Sequence, residues 1–437
     1  MSPHNHSRLS GKLLTGGGTA VLLSFMLVAA LIAAYRFIQG LGATTNLSDQ
    51  YPWGLWVTFD VMCGVALAAG GFTTAAVVYI FCGEKYHSLV RPAILTAFLG
   101  YVFVALGLLV DLGLPWHIWH PIILWPKHSA LFEVAWCVML YSAVLALEFA
   151  PSVFERFGWK LLYELWHRLV PLFVIFALSF FAYIMSHSVF WALTAFVVIS
   201  GVAIVLPKLV ASRPGVPIIL IIAGILFSTA HQSSLGTLFL LTPDKLHHLW
   251  WTPLLPVNFF LSAAAVGFAM VIFESTLSAR AFRLPSEGEA LNGLGKILAY
   301  VLIVYFTVQI VDVVLRGQLP AILSAKGALF AAEVLIGTLV PIAVLLNDRF
   351  REHMWVRFGA ACLVIFGLVF NRFNVALLAM NRPGDGFYFP SASEVLITVG
   401  LISGIIFFYN ITVKLFPVLP EHPEPVSPDA QSASNTR

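Results

Sequence analysis

Apolar residues fill long uninterrupted runs along this chain, and the polar and charged positions gather in the stretches between them. A membrane span needs about 20 such residues. Runs of that length fall near residues 19–40, 55–82, 90–110, 130–150, 169–185 and 189–206. The second half continues with 216–238, 255–275, 294–315, 327–346, 358–378 and 395–416. The pattern predicts an all-α polytopic transmembrane bundle of about 12 helices. Only Ser186-His-Ser188 separates the fifth run from the sixth. The first run is too long for a cleavable signal and lacks a small-residue cleavage site. The expected organisation is an N-terminal segment 1–18, a transmembrane domain 19–416, and a tail 417–437 whose Pro, Ser and Asn content reads as disordered.

Composition agrees with this reading and narrows it. Of 437 residues, 59% are hydrophobic and 10% charged, with a mean hydropathy of +0.91, far from a soluble globular protein. A net charge of +3 gives no reason to expect a nucleic-acid partner. The four cysteines, Cys63, Cys82, Cys137 and Cys362, sit inside apolar runs without a Cys-x-x-Cys pair. That spacing argues against a disulfide framework, a c-type haem and a cysteine-ligated cluster.

Lys and Arg concentrate in the N-terminus, the even-to-odd connections 155–168, 280–296 and 348–357, and the C-terminal side. By the positive-inside rule both termini are cytoplasmic. The opposite, periplasmic side then carries Pro-, Trp- and His-rich connections, among them Pro115-Trp-His-Ile-Trp-His-Pro121 and residues 46–53, 241–256 and 380–390. Each Trp alone reads as an interfacial aromatic belt. Together they read as a docking surface for a partner subunit.

Ionisable groups inside the runs carry the functional signal, because a charge at mid-bilayer costs about 2.5–3.5 kcal/mol or more. Asp60 lies two turns into the second run, after Tyr51-Pro-Trp-Gly-Leu-Trp56. Glu133 lies just inside the fourth run, Tyr101 mid-way along the third, and His231 about two turns from the periplasmic end of the seventh. Asp111 lies at the end of the third, and Glu148 and Glu274 toward the cytoplasmic ends of theirs. Asp60, Asp111, Glu133 and His231 are expected to share one level and to wall a quinone pocket, with a proton route toward the other side. The bland alternatives are pairing of Glu148 with Arg156 and of Glu274 with Arg280, an interfacial Asp111, and helix-to-helix hydrogen bonding by His231-Gln-Ser-Ser-Leu-Gly236.

Haem is the cofactor to weigh first. A membrane b-type haem usually takes facing axial histidines, and of 13 histidines only His231 lies well inside a run, so no haem is expected. His117, His120 and His128, and His247 with His248, lack compact metal-ligand spacing, so no metal site is assigned. No phosphate loop, nicotinamide or flavin fingerprint, or nucleophile elbow is present in the sequence.

The motifs Pro52-Trp-Gly-Leu-Trp with Asp60, Gly70-Gly71, Tyr86-His-Ser-Leu-Val-Arg-Pro92, Gly100-Tyr101 and Leu131-Phe-Glu133 carry a resemblance. So do Ala146-Leu-Glu-Phe-Ala-Pro151 with Phe154-Glu-Arg-Phe-Gly-Trp-Lys160, His231-Gln-Ser-Ser-Leu-Gly236, Ile272-Phe-Glu274 and Tyr388-Phe-Pro390. Together they resemble the polysulfide-reductase/NrfD family, most of all its HybB-like branch, the b-type cytochrome subunit of nickel-iron hydrogenase 2. The resemblance implies a haem-free, quinone-reactive subunit of the bacterial inner membrane. It works beside a periplasmic ferredoxin-like iron-sulfur subunit and catalytic subunits, nickel-iron hydrogenase in this branch, and exchanges electrons with menaquinone or ubiquinone. It also implies that Asp60, Tyr101, Glu133 and His231 contact the quinone and that these residues and Glu274 handle protons. Between Lys160 and His231 the chain has room for three spans where the hydrogenase branch has room for about one, so a helix hairpin near 169–210 is expected as an addition. Two other readings stay open: an anchor for a molybdoenzyme or multihaem cytochrome, and a secondary transporter, although no repeated pair of broken helices is visible.

Overall fold

The computed structural model describes residues 16–81, 83–126, 129–209, 216–285, 287–381 and 388–419. Cys82, His128, the first 15 residues and the tail from 420 lie outside the described residues.

Among the described residues twelve apolar helices run back and forth: α1 (Gly17–Gln39), α2 (Trp56–Ile80), α3 (Lys85–Asp111), α4 (Ala130–Phe157), α5 (Lys160–Ser186) and α6 (Val189–Leu209), then α7 (Ile218–Leu240), α8 (Leu255–Phe282), α9 (Gly288–Leu315), α10 (Ala325–Leu346), α11 (Met354–Leu378) and α12 (Ala392–Leu415). Eleven of them are long and apolar enough to cross a membrane, and α6 is a shorter apolar helix. The chain is a polytopic all-α membrane protein, as the hydropathy pattern predicts. Successive crossings place residues 40–55, 112–126, 187–188, 241–254, 316–324, 379–381 and 388–391 on one side, called here the loop face.

One connection differs from the sequence reading. Residues 155–168 are not a loop: α4 runs on to Phe157, closes on Gly158 in the left-handed conformation (φ 67°), and α5 begins at Lys160. Polar residues beyond the hydrocarbon length are good helix formers and extend both helices into the interface. Helices α5 and α6 form a hairpin that turns at His187, within the Ser186-His-Ser188 break of the sequence and itself left-handed at φ 50°.

Helices α2, α3, α4 and α7 pack as a first four-helix bundle, and α8, α9, α10 and α11 as a second; α8 joins them by packing on α2 and α7. The pair α1–α12 leans on α3, and the hairpin α5–α6 on the α4–α7 edge. Lipid is as apolar as leucine, so close van der Waals fit rather than water exclusion holds such helices together, and small residues allow it. Along α2, a Cβ at Gly64 would sit 2.8 Å from Val104, and one at Gly71 2.7 Å from Ala97, while α3's Gly100 lies against Ala68 at 2.8 Å. At the junction of the bundles Gly267 of α8 meets the backbone of Ala69 and Gly70, where any side chain would overlap at 2.8 Å. Helix α2 itself is irregular, π-helical over Trp56–Cys63 and Ala76–Ile80. Such widened turns redirect side chains and are frequent at functional sites.

Candidate functional site

The first bundle encloses a cavity of about 490 Å³ open toward the loop face, within the size range of small-molecule sites. All four helices line it: Val57, Val61 and Met62 from α2, Val104, Leu108 and Asp111 from α3, Phe132 and Val138 from α4, and Leu235 and Phe239 from α7. Its mouth is formed by Trp53 and by His117, His120 and Leu124 of the loop between α3 and α4. The walls are apolar, and the titratable lining groups, Asp111, His117 and His120, gather at the mouth; Asp60, Tyr101, Glu133 and His231 stand outside the lining.

At the inner end, Tyr101 and His231 are both fully buried, and the Tyr101 hydroxyl lies 3.1 Å from His231 Nδ1. They sit one helical turn below cavity residues Val104 and Leu235, about 15 Å from the loop-face ends of α3 and α7. His231 Nε2 is buried without a partner. The Tyr141 ring meets Tyr101 edge-on, with centroids 4.7 Å apart. Below Tyr141 the buried Glu148 carboxylate reaches Gly224, whose missing side chain leaves it room: a Cβ there would be 3.4 Å from Glu148 Oε1 and 3.6 Å from the Tyr141 ring. Ser228, one turn from Gly224, is buried with its hydroxyl unpartnered. Glu148, Tyr141, Ser228, Tyr101 and His231 therefore form a polar line through an otherwise apolar bundle.

At the outer end, Asp111 lines the cavity beside the His117 and His120 rings, which stack with centroids 4.2 Å apart. Arg36 of α1, buried at this rim, donates to the Leu112 carbonyl. The lip is held by Tyr388: its hydroxyl donates to Glu394, accepts from the Leu55 N–H at 2.8 Å, and its ring stacks on Tyr51. Burial and the Glu394 charge beside it push the Tyr388 phenol well above its ordinary value, so it stays a hydrogen-bond donor. Glu394 belongs in turn to a capping box with Ser391 that starts α12.

The residues singled out from the sequence fall into separate settings. Tyr101 and His231 touch each other. Glu133 accepts a hydrogen bond from Ser234 at 2.7 Å, on the same helix as His231 and three residues nearer the mouth. Asp60 accepts from Thr398 of α12 at 2.7 Å; it is the neighbour of cavity residues Val61 and Met62, and its carboxylate faces α12. Glu274 accepts from Thr96 at 2.5 Å, with its second oxygen buried and unpartnered. Asp60 and Glu133 do share a level about 6 Å inside their helices, while His231 lies deeper, level with Tyr101. Asp111 lines the cavity as the sequence reading expects, whereas His117 and His120 were passed over as lining groups, because a loop histidine beside tryptophans reads as interface. The signal was the repeated Trp-His in Pro115–Pro121, joined to a carboxylate at the preceding helix end.

Residues 43–382 match the family described as polysulphide reductase, NrfD. Three relatives match almost end to end. A protein of Nitratidesulfovibrio vulgaris is 36% identical over 96% of this chain and 98% of its own length. The probable Ni/Fe-hydrogenase 2 b-type cytochrome subunit of Escherichia coli is 30% identical over 95% of this chain and 96% of itself. The integral membrane subunit of menaquinone reductase from Nitratidesulfovibrio vulgaris is 25% identical, covering 90% of each.

Proposed function

We propose, from the premise that the chain belongs to the polysulphide reductase NrfD family, that it is the quinone-reactive membrane subunit of a respiratory oxidoreductase complex. The cavity of the first bundle with the Tyr101–His231 pair at its inner end carries this reading. A quinone ring and the first part of its tail match an apolar slot of about 490 Å³ with a hydrogen-bonding pair one helical turn below its lining residues Val104 and Leu235.

Reduction of a quinone to its quinol consumes two electrons and two protons. The electrons enter from an iron-sulfur partner on the loop face, which is the periplasmic side in this reading. His117, His120 and the surrounding tryptophans form the part of that face nearest the cavity. At the inner end the Tyr101 hydroxyl and the imidazole of His231 bind the ring oxygen and pass it a proton, and Glu148 refills the pair through Tyr141 and Ser228. A positioned general acid of this kind contributes typically 10²–10⁴-fold. At the outer end Asp111, flanked by Asp60 and Glu133, exchanges protons with the aqueous side. Identity to the hydrogenase 2 subunit favours hydrogenase as the electron source, with menaquinone or ubiquinone as acceptor, in a bacterial inner membrane with both termini cytoplasmic. The site is read as haem-free: His231 is the only fully buried histidine among the described residues, and its Nδ1 faces Tyr101.

The test is quenching of the tryptophans around the mouth by menadione in the purified complex. Saturable quenching that is lost in His231→Ala is the expected result. A wild-type complex that shows no saturable quenching overturns the reading, and a b-type absorption spectrum in the purified subunit overturns the haem-free assignment.

A further inference from the structure

The second bundle repeats the polar plan of the first. Along the chain the first bundle carries a tyrosine on its second helix, a glutamate on its third and a basic side chain on its fourth: Tyr101, Glu133 and His231. The second carries Tyr305 on α9, Glu333 on α10 and Arg372 on α11 in the same order. Here the groups are gathered tightly. Glu333, 4% exposed, accepts from Asn371 Nδ2 at 2.7 Å, Trp250 Nε1 at 2.9 Å and Asn374 Nδ2 at 2.8 Å. Arg372, fully buried, donates to Asn371 Oδ1 at 2.5 Å and Ser262 Oγ at 2.9 Å, and its guanidinium lies 3.7 Å over the Phe259 ring. Asn371 thus bridges acid and cation, accepting from one and donating to the other.

Three further observations point to a ligand. A void of about 20 Å³ is lined by Glu333, Tyr305, Asn371, Ser262 and Thr338, which is room for a single water molecule and for nothing with a ring. Asn374, itself fully buried, leaves its Oδ1 without a partner beside the Glu333 carboxylate. Both helices that carry the cluster widen into π turns at it, α10 over Leu335–Leu339 and α11 over Asn374–Leu378.

We propose, resting on the quinone reading of the first bundle, that Glu333 with Asn371, Asn374 and Arg372 is a second, quinone-free proton-binding site. It takes up one proton, with one water beside it, when the first bundle is reduced. As an anion Glu333 is matched by three N–H donors. As an acid its new O–H needs an acceptor, and the unpartnered Asn374 Oδ1 supplies one after a half-turn of that amide. The step moves one proton and no electrons: one O–H bond forms on the carboxylate, and one breaks on a hydronium supplied from the loop-face solution, which is left as water. The charged and titratable groups facing Glu333 are Arg372 and Tyr305; Asp312 is held by Arg316 and Thr252, and Lys326 by the carbonyls of Ala379 and Met380. Arg372 is held by the Phe259 carbonyl and Ser262 of α8, the helix whose Gly267 meets the α2 backbone at Ala69 and Gly70. A change of charge in the first bundle is felt at the second across this low-dielectric seam.

The experiment is redox-triggered infrared difference spectroscopy on the intact purified complex with menadione, after its binding has been established by quenching. The expected result is a carboxylic-acid carbonyl band that appears on reduction, shifts in heavy water, is absent in Glu333→Gln and is displaced in Asn374→Leu. A band unchanged in both variants overturns this proposal alone. A wild-type complex that does not bind menadione overturns the first-bundle reading and this one with it. Asn374→Leu keeps the test decisive should Glu333→Gln fail to assemble.

Discussion

The two four-helix bundles place the same kinds of side chain in the membrane and treat them oppositely. In the first, Tyr101 and His231 share one hydrogen bond, His231 Nε2 and Ser228 Oγ have no partner, and a cavity of about 490 Å³ opens above them. In the second, the Glu333 carboxylate has three donors and Arg372 is stacked and hydrogen-bonded, so that Asn374 Oδ1 and Arg372 Nε are what is left unpartnered, and the void beside them is about 20 Å³. An unsatisfied polar group in a low-dielectric interior is poised to bind something, and a satisfied one is held. The difference teaches that polar residues in a span do not mark a substrate site by their presence. What marks it is the space left next to them.

The largest effect that can sharpen the contrast is on assembly. Removing one partner of a buried charge network leaves the other uncompensated, at about 3–5 kcal/mol, so Arg372→Ala should strongly lower the thermal unfolding temperature of the detergent-solubilised complex. Tyr101→Phe should leave that temperature within a few degrees, because the lost hydroxyl makes a single hydrogen bond. Its effect should appear instead in turnover, with quinone reduction by the assembled complex slowed about 100-fold, the loss of one positioned acid. Equal effects of the two variants in both assays would erase the distinction between the bundles. A smaller change is expected from Val138→Trp, which puts an indole into the cavity. The apparent KM for a soluble quinone should rise about tenfold, the loss of about 1.4 kcal/mol of binding, with assembly intact.

The smallest effect concerns pH. Burial, with the Lys326 and His248 charges beside it, holds the His247 imidazole below its ordinary value, and its Nδ1 accepts from the Leu249 N–H. The unfolded state then binds a proton more readily than the folded one, so this contribution is complete above the ordinary histidine value, near 6.5, and is lost as pH falls below it. The protection factors of the amides of segment 241–254, exchange rates corrected for the intrinsic pH dependence, should fall between pH 7 and 5, and His247→Asn should flatten that slope.

How much of this was legible beforehand follows from the kind of interaction involved. Hydrophobic runs report the spans directly, because a helix in lipid has no other way to satisfy its backbone. The end of α4 and start of α5 were misplaced because charged residues from Glu155 to Arg168 look like a loop by composition and are equally at home on helices that protrude. Tyr101 and His231 were each recognisable as polar residues in apolar runs. Their meeting was not, since it depends on how α3 turns against α7, which the Gly64, Ala68 and Gly71 face of α2 decides from a third helix. Glu333 and Arg372 obey the same rule that drew attention to Asp60, and the pattern alone would have found them. The resemblance drew attention to the first half instead. His117 and His120 could be seen only as loop residues until the fold brought Asp111 beside them.

Gly267 stands against Ala69 and Gly70 with no side chain between the two backbones. A seam that close behaves as a weld: neither bundle can rock or slide on the other without prising main chain from main chain. Communication across it is then a matter of voltage rather than of leverage, and the protein resembles two capacitor plates sharing one thin rigid wall.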